Sequence, residues 1–438
     1  MSLKLSTRIL TSRKKLRGTV RVPGDKSISH RALILGSLAS GMSEIRHIAP
    51  GKDCMSTFQC LKDLGIKLTV KRNIPNTVCI EGHGHENMVE SQNVLNSGNS
   101  ATTMRLLCGI LAAQPFLSVL SGDYSLRSRP MDRVIEPLRL MGAEIYGRHN
   151  DKYAPLVIKG NKLQGITYEL PVPSAQIKSS VLLAGLFASG KTSVIQSAVS
   201  RDHTELLLEH MGAGLEKDDL LVSVKQINDP LLPLNISVPG DISSAAYWLV
   251  AGAIHPDAKI KIEGCGINPT RTGIIDMLEE MGANIRIENK RVEANEQIGD
   301  IHIESSRLKS ITIDKTNLPR IIDEVPILAV AACFAEGDTA IKDATELRVK
   351  ESDRIMTTVH ELSQLGANVK ELPDGMIIHG GSRLTGAEVE SHYDHRLAMS
   401  LSIAGLLAKG ETTIHKAHVV DISYPSFWED FEYLSSEQ

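Results

Sequence analysis

Val22 to Gly36 reads VPGDKSISHRALILG, and Val238 to Gly252 reads VPGDISSAAYWLVAG. The two align without a gap, 216 residues apart. Each opens on a Pro-Gly turn and an Asp, passes through small polar residues and enters an apolar helical run. In the first copy the run continues through SLASG to a small-residue stop at Gly41. Ser27 reads as an N-cap or first-turn residue, so free backbone N–H groups and the positive end of a helix dipole face whatever lies there. Lys26 and Arg31 beside it make that end a site for an anion, most simply a phosphate.

Working outward, the frame recurs through the whole chain. The phrase L-x-x-[LM]-G-[AI]-x-[ILV] occurs as LKDLGIKL from Leu61, LRLMGAEI from Leu138, LEHMGAGL from Leu208, LEEMGANI from Leu278 and LSQLGANV from Leu362. Each copy reads as the end of an amphipathic helix, a C′ glycine and entry into a strand. A second phrase joins an Ala/Leu-rich helix, a small-residue turn and a β-branched strand. Its six copies are ALILGSLASGMSEIRHI, LLCGILAAQPFLSVLSG, LLAGLFASGKTSVIQSA, WLVAGAIHPDAKIKIEG, AVAACFAEGDTAIKDAT and IAGLLAKGETTIHKAHV. Six copies over 438 residues set a period of about 73 residues. The expected fold is α/β, because helices alternate with short strands in every repeat. The long-range match groups the repeats into two similar lobes of three. One lobe is residues 23–238; the other is 1–22 plus 239–438, including the N-terminal strand.

A chain of 438 residues exceeds one ordinary core, in keeping with two domains. Its net charge of −4 argues against nucleic acid as the main partner, since a phosphate-backbone binder carries a basic excess. The cysteines at 54, 60, 79, 108, 265 and 333 contain no CxxC pair, which points to reduced thiols in a cytoplasmic protein. The first seventeen residues are basic and without acid, but no apolar stretch follows them, and LKLSTRIL from Leu3 alternates as a strand does. No window approaches a membrane-spanning length.

The helix starts DKSISHR, SGNSATTMR, PSAQIKSS, PGDISSAAY, IIDEVPILA and SHYDHRLAM differ, while the apolar helix bodies stay alike. That is the pattern of a shared scaffold carrying a divergent site. If the lobes face each other, these starts point into one gap, positive from dipoles alone. Charge gathers at the same edges: Arg105, then Arg127, Arg129 and Arg133, then Arg201-Asp202-His203, Arg348 to Arg354, and Asp394-His395-Arg396. Arginine's planar fork matches phosphate and carboxylate. GLFASGKT, Gly185 to Thr192, fits the P-loop pattern by letter. A helix precedes it and a strand follows, the reverse of a P-loop, so it is assigned to a repeat turn.

In this order PGDKSISHR, GNSATTMR, RSRP, SAQIKSS, RDHTE, IDEVPILAVAA, RVKESDR and DHRLAM resemble the 3-phosphoshikimate 1-carboxyvinyltransferase (EPSP synthase) family, over essentially the full length. The resemblance implies two lobes, each of three β-α-β-α-β-β units in an inside-out barrel, with the active site in the cleft between them. It implies joining phosphoenolpyruvate to the 5-hydroxyl of shikimate 3-phosphate with release of phosphate, by addition and elimination through a tetrahedral intermediate. It implies a monomer with no metal and no organic cofactor. Lys26, Gly98, Arg129, Gln176, Arg354 and Arg396 would meet phosphoenolpyruvate. Lys26, Ser27, Arg31, Ser174, Ala175, Gln176, Arg201, Asp323 and Lys350 would meet shikimate 3-phosphate. Asp323 would act as base at the 5-hydroxyl, with Glu324 beside it as an alternative that the sequence does not separate. Glu351 would give and remove the methylene proton, with Lys26 as a further proton carrier.

Two features depart from the glyphosate-sensitive branch of that family. Ala101 stands in Gly98-Asn99-Ser100-Ala101-Thr102 where that branch has glycine, and Asp421-Ile422-Ser423-Tyr424-Pro425 lacks a lysine that some members carry. The chain therefore resembles the insensitive branch. A sister family transfers enolpyruvyl to UDP-N-acetylglucosamine, but it typically carries a loop cysteine near an Arg-Pro turn, and LSGDYSLRSRP has none. A non-catalytic anion-binding repeat protein would explain the helix starts but not Asp323 and Glu351 among so many arginines.

Overall fold

The computed structural model describes residues 6–84 and 87–436. It divides the chain into two compact units. One is Gly24–Val238 with Val292–Glu296; the other is the chain through Pro23, Pro239–Arg291 and Gln297 onward. The cuts fall after Pro23 and Val238, one residue beyond the expected first boundary. The expected boundaries also miss the return of 292–296 to the first unit. That segment is the tip of the hairpin formed by Asn284–Glu293 and Glu296–Glu304. Asn295 Nδ2 donates to the Leu206 carbonyl (3.2 Å), and Glu293 accepts from the Ser237 backbone N–H. No local pattern in the sequence announces those partners.

Three sheets in the first unit share one strand order. Asn235–Ser237, Ser40–Arg46, Val78–His83 and Lys67–Val70 form the first. Leu95–Asn96, Leu117–Ser121, Tyr153–Lys159 and Glu144–Gly147 form the second; Thr167–Glu169, Lys191–Ile195, Leu221–Lys225 and Leu215–Asp218 form the third. In each, the leading strand is parallel to its neighbour and the rest are antiparallel. The second unit repeats the order. Leu16–Val20 leads the sheet built on Ala258–Gly266, in parallel, and Thr312–Ile313 leads that built on Asp338–Ile341. The sixth sheet has three strands: Glu388–Glu390, Glu411–His415 and, antiparallel to the latter, Thr7–Thr11. The first three residues of the alternating stretch from Leu3 lie outside the described residues. In the sixth repeat the N-terminal strand takes the place of a hairpin strand, and the helix Phe427–Ser435 follows. This is why the Leu-Gly phrase occurs five times and not six.

The Leu-Gly phrase folds as its chemistry requires. Gly65, Gly142, Gly212, Gly282 and Gly366 all take positive φ, between 82° and 104°, each ending an outer helix. Outer helices such as Arg354–Gln364 bury one face. The inner helices are buried nearly all round, and Val325–Cys333 and His395–Gly405 are buried at every position. A helix apolar on all sides belongs at a core centre. Within each unit the inner helices pack on one another, in one Lys26–Leu38, Ala101–Leu111 and Ala175–Gly185, in the other Ile242–Ile254, Val325–Cys333 and His395–Gly405.

Five of these six helices have a side-chain N-cap. Asp25, Ser100, Ser174, Asp241 and Asp394 accept from the backbone N–H groups of Ile28, Thr103, Ile177, Ser243 and Arg396. Val325–Cys333 instead has Pro326 in its first turn, whose missing N–H needs no cap. Ser27 is thus a first-turn residue, and the cap is Asp25. Lys191 and Thr192 lie on a strand after the helix Ala175–Gly185, as the repeat-turn assignment requires.

Helix contact in the first unit leaves no room for a side chain at Gly109. A Cβ there would stand 2.1 Å from the Ser180 carbonyl oxygen. Gly109→Ala must therefore push Ala101–Leu111 away from Ala175–Gly185, at about 1–3 kcal/mol. A urea midpoint clearly below wild type is expected, and an unchanged midpoint would contradict this packing.

Candidate functional site

In the first unit the residues singled out from sequence lie at the inner-helix starts and the loops beside them. Arg31 is 2% exposed, and its guanidinium donates to Thr204 Oγ1 (2.7 Å), Ser179 Oγ (2.8 Å) and the Ser27 carbonyl (3.0 Å). These partners are dipoles, not carboxylates, so the positive charge stays available to an anionic ligand. Burial lowers the Arg31 pKa to about 10, opposed by the nearby Glu205 and reinforced by Arg201. It remains a cation at neutral pH. Lys26 Nζ lies 3.2 Å from Asp53 Oδ2. His30 hydrogen-bonds Thr57 Oγ1 at 2.7 Å, and burial, then Lys26 and Arg31, lowers its pKa well below the ordinary imidazole range. It is a neutral, structural ring.

Gln176 is oriented from both ends of its amide. Its oxygen accepts from Arg105 Nη1 (2.6 Å), and its nitrogen donates to Thr102 Oγ1 (2.9 Å). Arg105 also donates to the Pro130 carbonyl (2.9 Å), next to Arg129. Arg129 Nη2 donates to Asn99 Oδ1 (2.9 Å), whose amide donates to Asp123 Oδ2 (2.7 Å). Gly98 takes φ 57°, and its carbonyl accepts from the Asp123 N–H at 2.8 Å. The glycine loop and the Leu126–Ser128 turn are thereby tied together. Ser174 caps the helix that begins at Ala175.

In the second unit one guanidinium collects the acids. Arg354 is 1% exposed. It donates to Asp394 Oδ2 (2.7 Å), Glu351 Oε2 (2.6 Å) and, at 3.4 Å, Asp323 Oδ1. Arg396 Nη2 lies 3.6 Å from Asp323 Oδ2, and its Nη1 lies 4.0 Å from Glu324 Oε1. Glu324, 1% exposed, accepts from Ser243 Oγ, which itself accepts from Arg271 Nη2 (2.6 Å). Burial alone would lower the pKa of Arg354, but Asp394 and Glu351 outweigh it and hold the group above its ordinary value. Burial would likewise raise the Asp394 carboxyl, and Arg354 outweighs that and holds it below. Lys350 is lowered by burial, opposed by the nearby Asp323.

Asp323 and Glu351 keep 17% of their side-chain surface exposed, against 1% for Glu324. They are two reachable carboxylates on one buried cation, an arrangement suited to moving protons beside a bound anion.

The profile of the EPSP synthase (3-phosphoshikimate 1-carboxyvinyltransferase) family matches residues 10–431. The chain belongs to the EPSP synthase family. A 3-phosphoshikimate 1-carboxyvinyltransferase of Herpetosiphon aurantiacus is 50% identical over 420 residues, covering 95% of this chain and 97% of that one. The enzyme of the same name from Synechococcus elongatus is 52% identical, covering 94% and 92%. The EPSP synthase structure from Acinetobacter baumannii superposes with a TM-score of 0.87 at 43% identity, covering 98% of each chain. The two-domain α/β fold is that of the family.

Asp323, Glu351, Lys350, Arg354 and Arg396 gather in the second unit of this EPSP synthase family member. In the first, Ser27, Arg31 and Arg201 form one group, Gly98, Arg129 and Gln176 with Arg105 another, and Lys26 pairs with Asp53. Asp394 stands in the helix start SHYDHRLAM and in a charged run, without a role of its own from sequence, and the structure makes it both a helix cap and the main partner of Arg354. Its signal was its place at the repeat's cap position, shared with Asp25 and Asp241. Asp53 and Asn99 carried no such signal.

Asp394→Asn keeps an acceptor for the cap but leaves a buried guanidinium short of a charge, which costs about 3 kcal/mol at pH 7. The Asp394 pKa is depressed on folding, so its stabilising contribution is complete above the ordinary carboxylate range and lost as pH falls through the depressed value. Chemical denaturation should show a wild-type advantage that is flat from pH 8 to about 5 and shrinks below about 4. An advantage independent of pH would contradict the ion pair.

Proposed function

We propose that this chain transfers the enolpyruvyl group of phosphoenolpyruvate to the 5-hydroxyl of shikimate 3-phosphate and releases inorganic phosphate. The observation that carries it is identity of about half the residues, over nearly the whole length, with curated 3-phosphoshikimate 1-carboxyvinyltransferases. In addition, the 5-hydroxyl oxygen bonds to C2 of phosphoenolpyruvate, the hydroxyl proton leaves and C3 gains one, giving a tetrahedral phosphoketal. In elimination, the bond from C2 to the phosphate oxygen breaks, phosphate departs with the electron pair, and C3 loses a proton to restore the double bond.

Asp323 is the base for the hydroxyl. Its partial exposure supports this role over Glu324, which is sealed against Ser243. Glu351 serves C3, with Lys26 as a further proton carrier. Its contact with Arg354 favours the carboxylate, so it acts as an acid only when a bound anion takes up the charge of Arg354. Lys26, Arg129, Arg354 and Arg396, with Gly98 and Gln176, hold phosphoenolpyruvate. Ser27, Arg31, Ser174, Ala175, Gln176, Arg201 and Lys350 hold shikimate 3-phosphate. All six cysteines are thiols, which supports a reducing compartment such as the cytoplasm. Among the described residues no helix is long and apolar enough to cross a membrane.

Ala101, 8% exposed at the first position of its helix, narrows the phosphoenolpyruvate pocket in this reading and lowers sensitivity to glyphosate, which is longer than the substrate. One assay tests both statements. Phosphate release from phosphoenolpyruvate should require shikimate 3-phosphate, and Ala101→Gly should lower the glyphosate concentration needed for half inhibition. Release with UDP-N-acetylglucosamine instead would overturn the substrate. Potent inhibition of the wild type, unchanged in the variant, would overturn the role of Ala101.

A further inference from the structure

Apart from the residues assigned to the reaction, the helix Arg354–Gln364 and the turn after strand Glu388–Glu390 bring three metal-ligating side chains together. His360 Nδ1 lies 2.9 Å from Glu361 Oε1, and His392 Nε2 lies 2.7 Å from the same oxygen. One ligand atom from each residue falls within 4.8 Å of the other two. Glu361 is 2% exposed, and its other oxygen accepts the Glu390 backbone N–H at 2.9 Å. The carboxylate is thereby fixed with Oε1 aimed at both imidazoles.

Charge and ligand chemistry agree on the occupant. A buried carboxylate needs a compensating cation. Among the described residues, the ion-pair partners of Glu361 are these two imidazoles, and no lysine or arginine stands with them. Two imidazole nitrogens and one carboxylate oxygen suit zinc and its neighbours, whereas magnesium and calcium prefer oxygen alone. Metal–ligand bonds of about 2.0–2.2 Å in a tetrahedron put ligands about 3.4 Å apart, so the nitrogens need to withdraw from Oε1 by only a fraction of an ångström. The His360 side chain is 62% exposed, which gives an ion a path from solvent and leaves room for water as a fourth ligand.

The same site bears on a strained turn. His392 and Tyr393 both take left-handed φ, 51° and 58°, unusual for two consecutive non-glycine residues. The turn is held by the His392 N–H on Glu390 Oε1 (3.2 Å), by Lys416 Nζ 4.1 Å from the Tyr393 ring centroid, and by the His392 ring on Glu361. It runs directly into Asp394.

We propose that His360, Glu361 and His392 form a binding site for a zinc-class transition-metal ion, and that the ion pins the His392–Tyr393 turn. The full chain, stripped with chelator, is titrated with zinc chloride by calorimetry, and cobalt(II) is used as the spectroscopic probe. About one ion per chain should bind, with cobalt d–d absorption of a nitrogen- and oxygen-ligated site. His360→Ala changes an exposed helical residue, so it should fold and keep its basal activity; it should lose at least about tenfold in zinc affinity, as should His392→Gln. Zinc at about 100 times its Kd should raise the melting temperature of the wild type by several degrees, and that of neither variant. No saturable binding, or binding unchanged in both variants, would overturn the site. Binding lost in the variants without a rise in wild-type melting temperature would overturn the pinning of the turn.

Discussion

Enclosing a guanidinium in a protein interior is costly unless carboxylates compensate it, and around Arg354 that requirement gathers the acids of the second unit. Asp394 meets it while capping the helix His395–Gly405, so the inner helix and the cation are positioned by one side chain. Glu351 and Asp323 are drawn to the same cation from two other segments of the chain. Arg396, one turn position from the cap, reaches Asp323 from the other side. The result is an arrangement of acids around a buried cation, in which the two most accessible members, Asp323 and Glu351, are carboxylates. In the proposed reaction an incoming anion competes with those acids for the guanidinium and so frees a proton to move.

The first unit solves the opposite problem. Arg31 is as buried as Arg354, yet its hydrogen bonds go to Ser179, Thr204 and the Ser27 carbonyl, with no carboxylate accepting from it. Burial lowers its pKa despite the nearby Glu205, whereas Asp394 and Glu351 raise that of Arg354. Dipoles hold the group in place without pairing its charge, which suits the phosphate-binding role proposed for it. One scaffold, duplicated, holds a buried guanidinium among dipoles in one unit and a buried guanidinium among acids in the other.

How much of this was legible in the sequence follows from how local each signal is. The C′ glycines, the capped helix starts and the all-apolar inner helices act within a few residues, and the repeats were readable from them. Assigning GLFASGKT to a repeat turn and not a P-loop rested on the same local grammar, since the order of helix and strand around Lys191 decides it. Closure of the sixth repeat by Thr7–Thr11 and return of 292–296 to the first unit are long-range pairings with no local mark. The site divides in the same way. Arginines and acids at helix starts stood out, but the partner of each is a matter of three-dimensional packing. Glu324 and Asp323, adjacent in the chain, differ only because Ser243 and Arg271 close over one of them.

The account rests on carbon protonation followed by loss of phosphate, and deuterium reports on that directly. The reaction is run in heavy water with phosphoenolpyruvate and shikimate 3-phosphate, and the product's vinyl methylene is read by proton NMR. Deuterium in that methylene, accumulating with phosphate release, is the predicted result. Phosphate released with a methylene that retains only protium would contradict it, because C3 would never have exchanged a proton with the enzyme's acids.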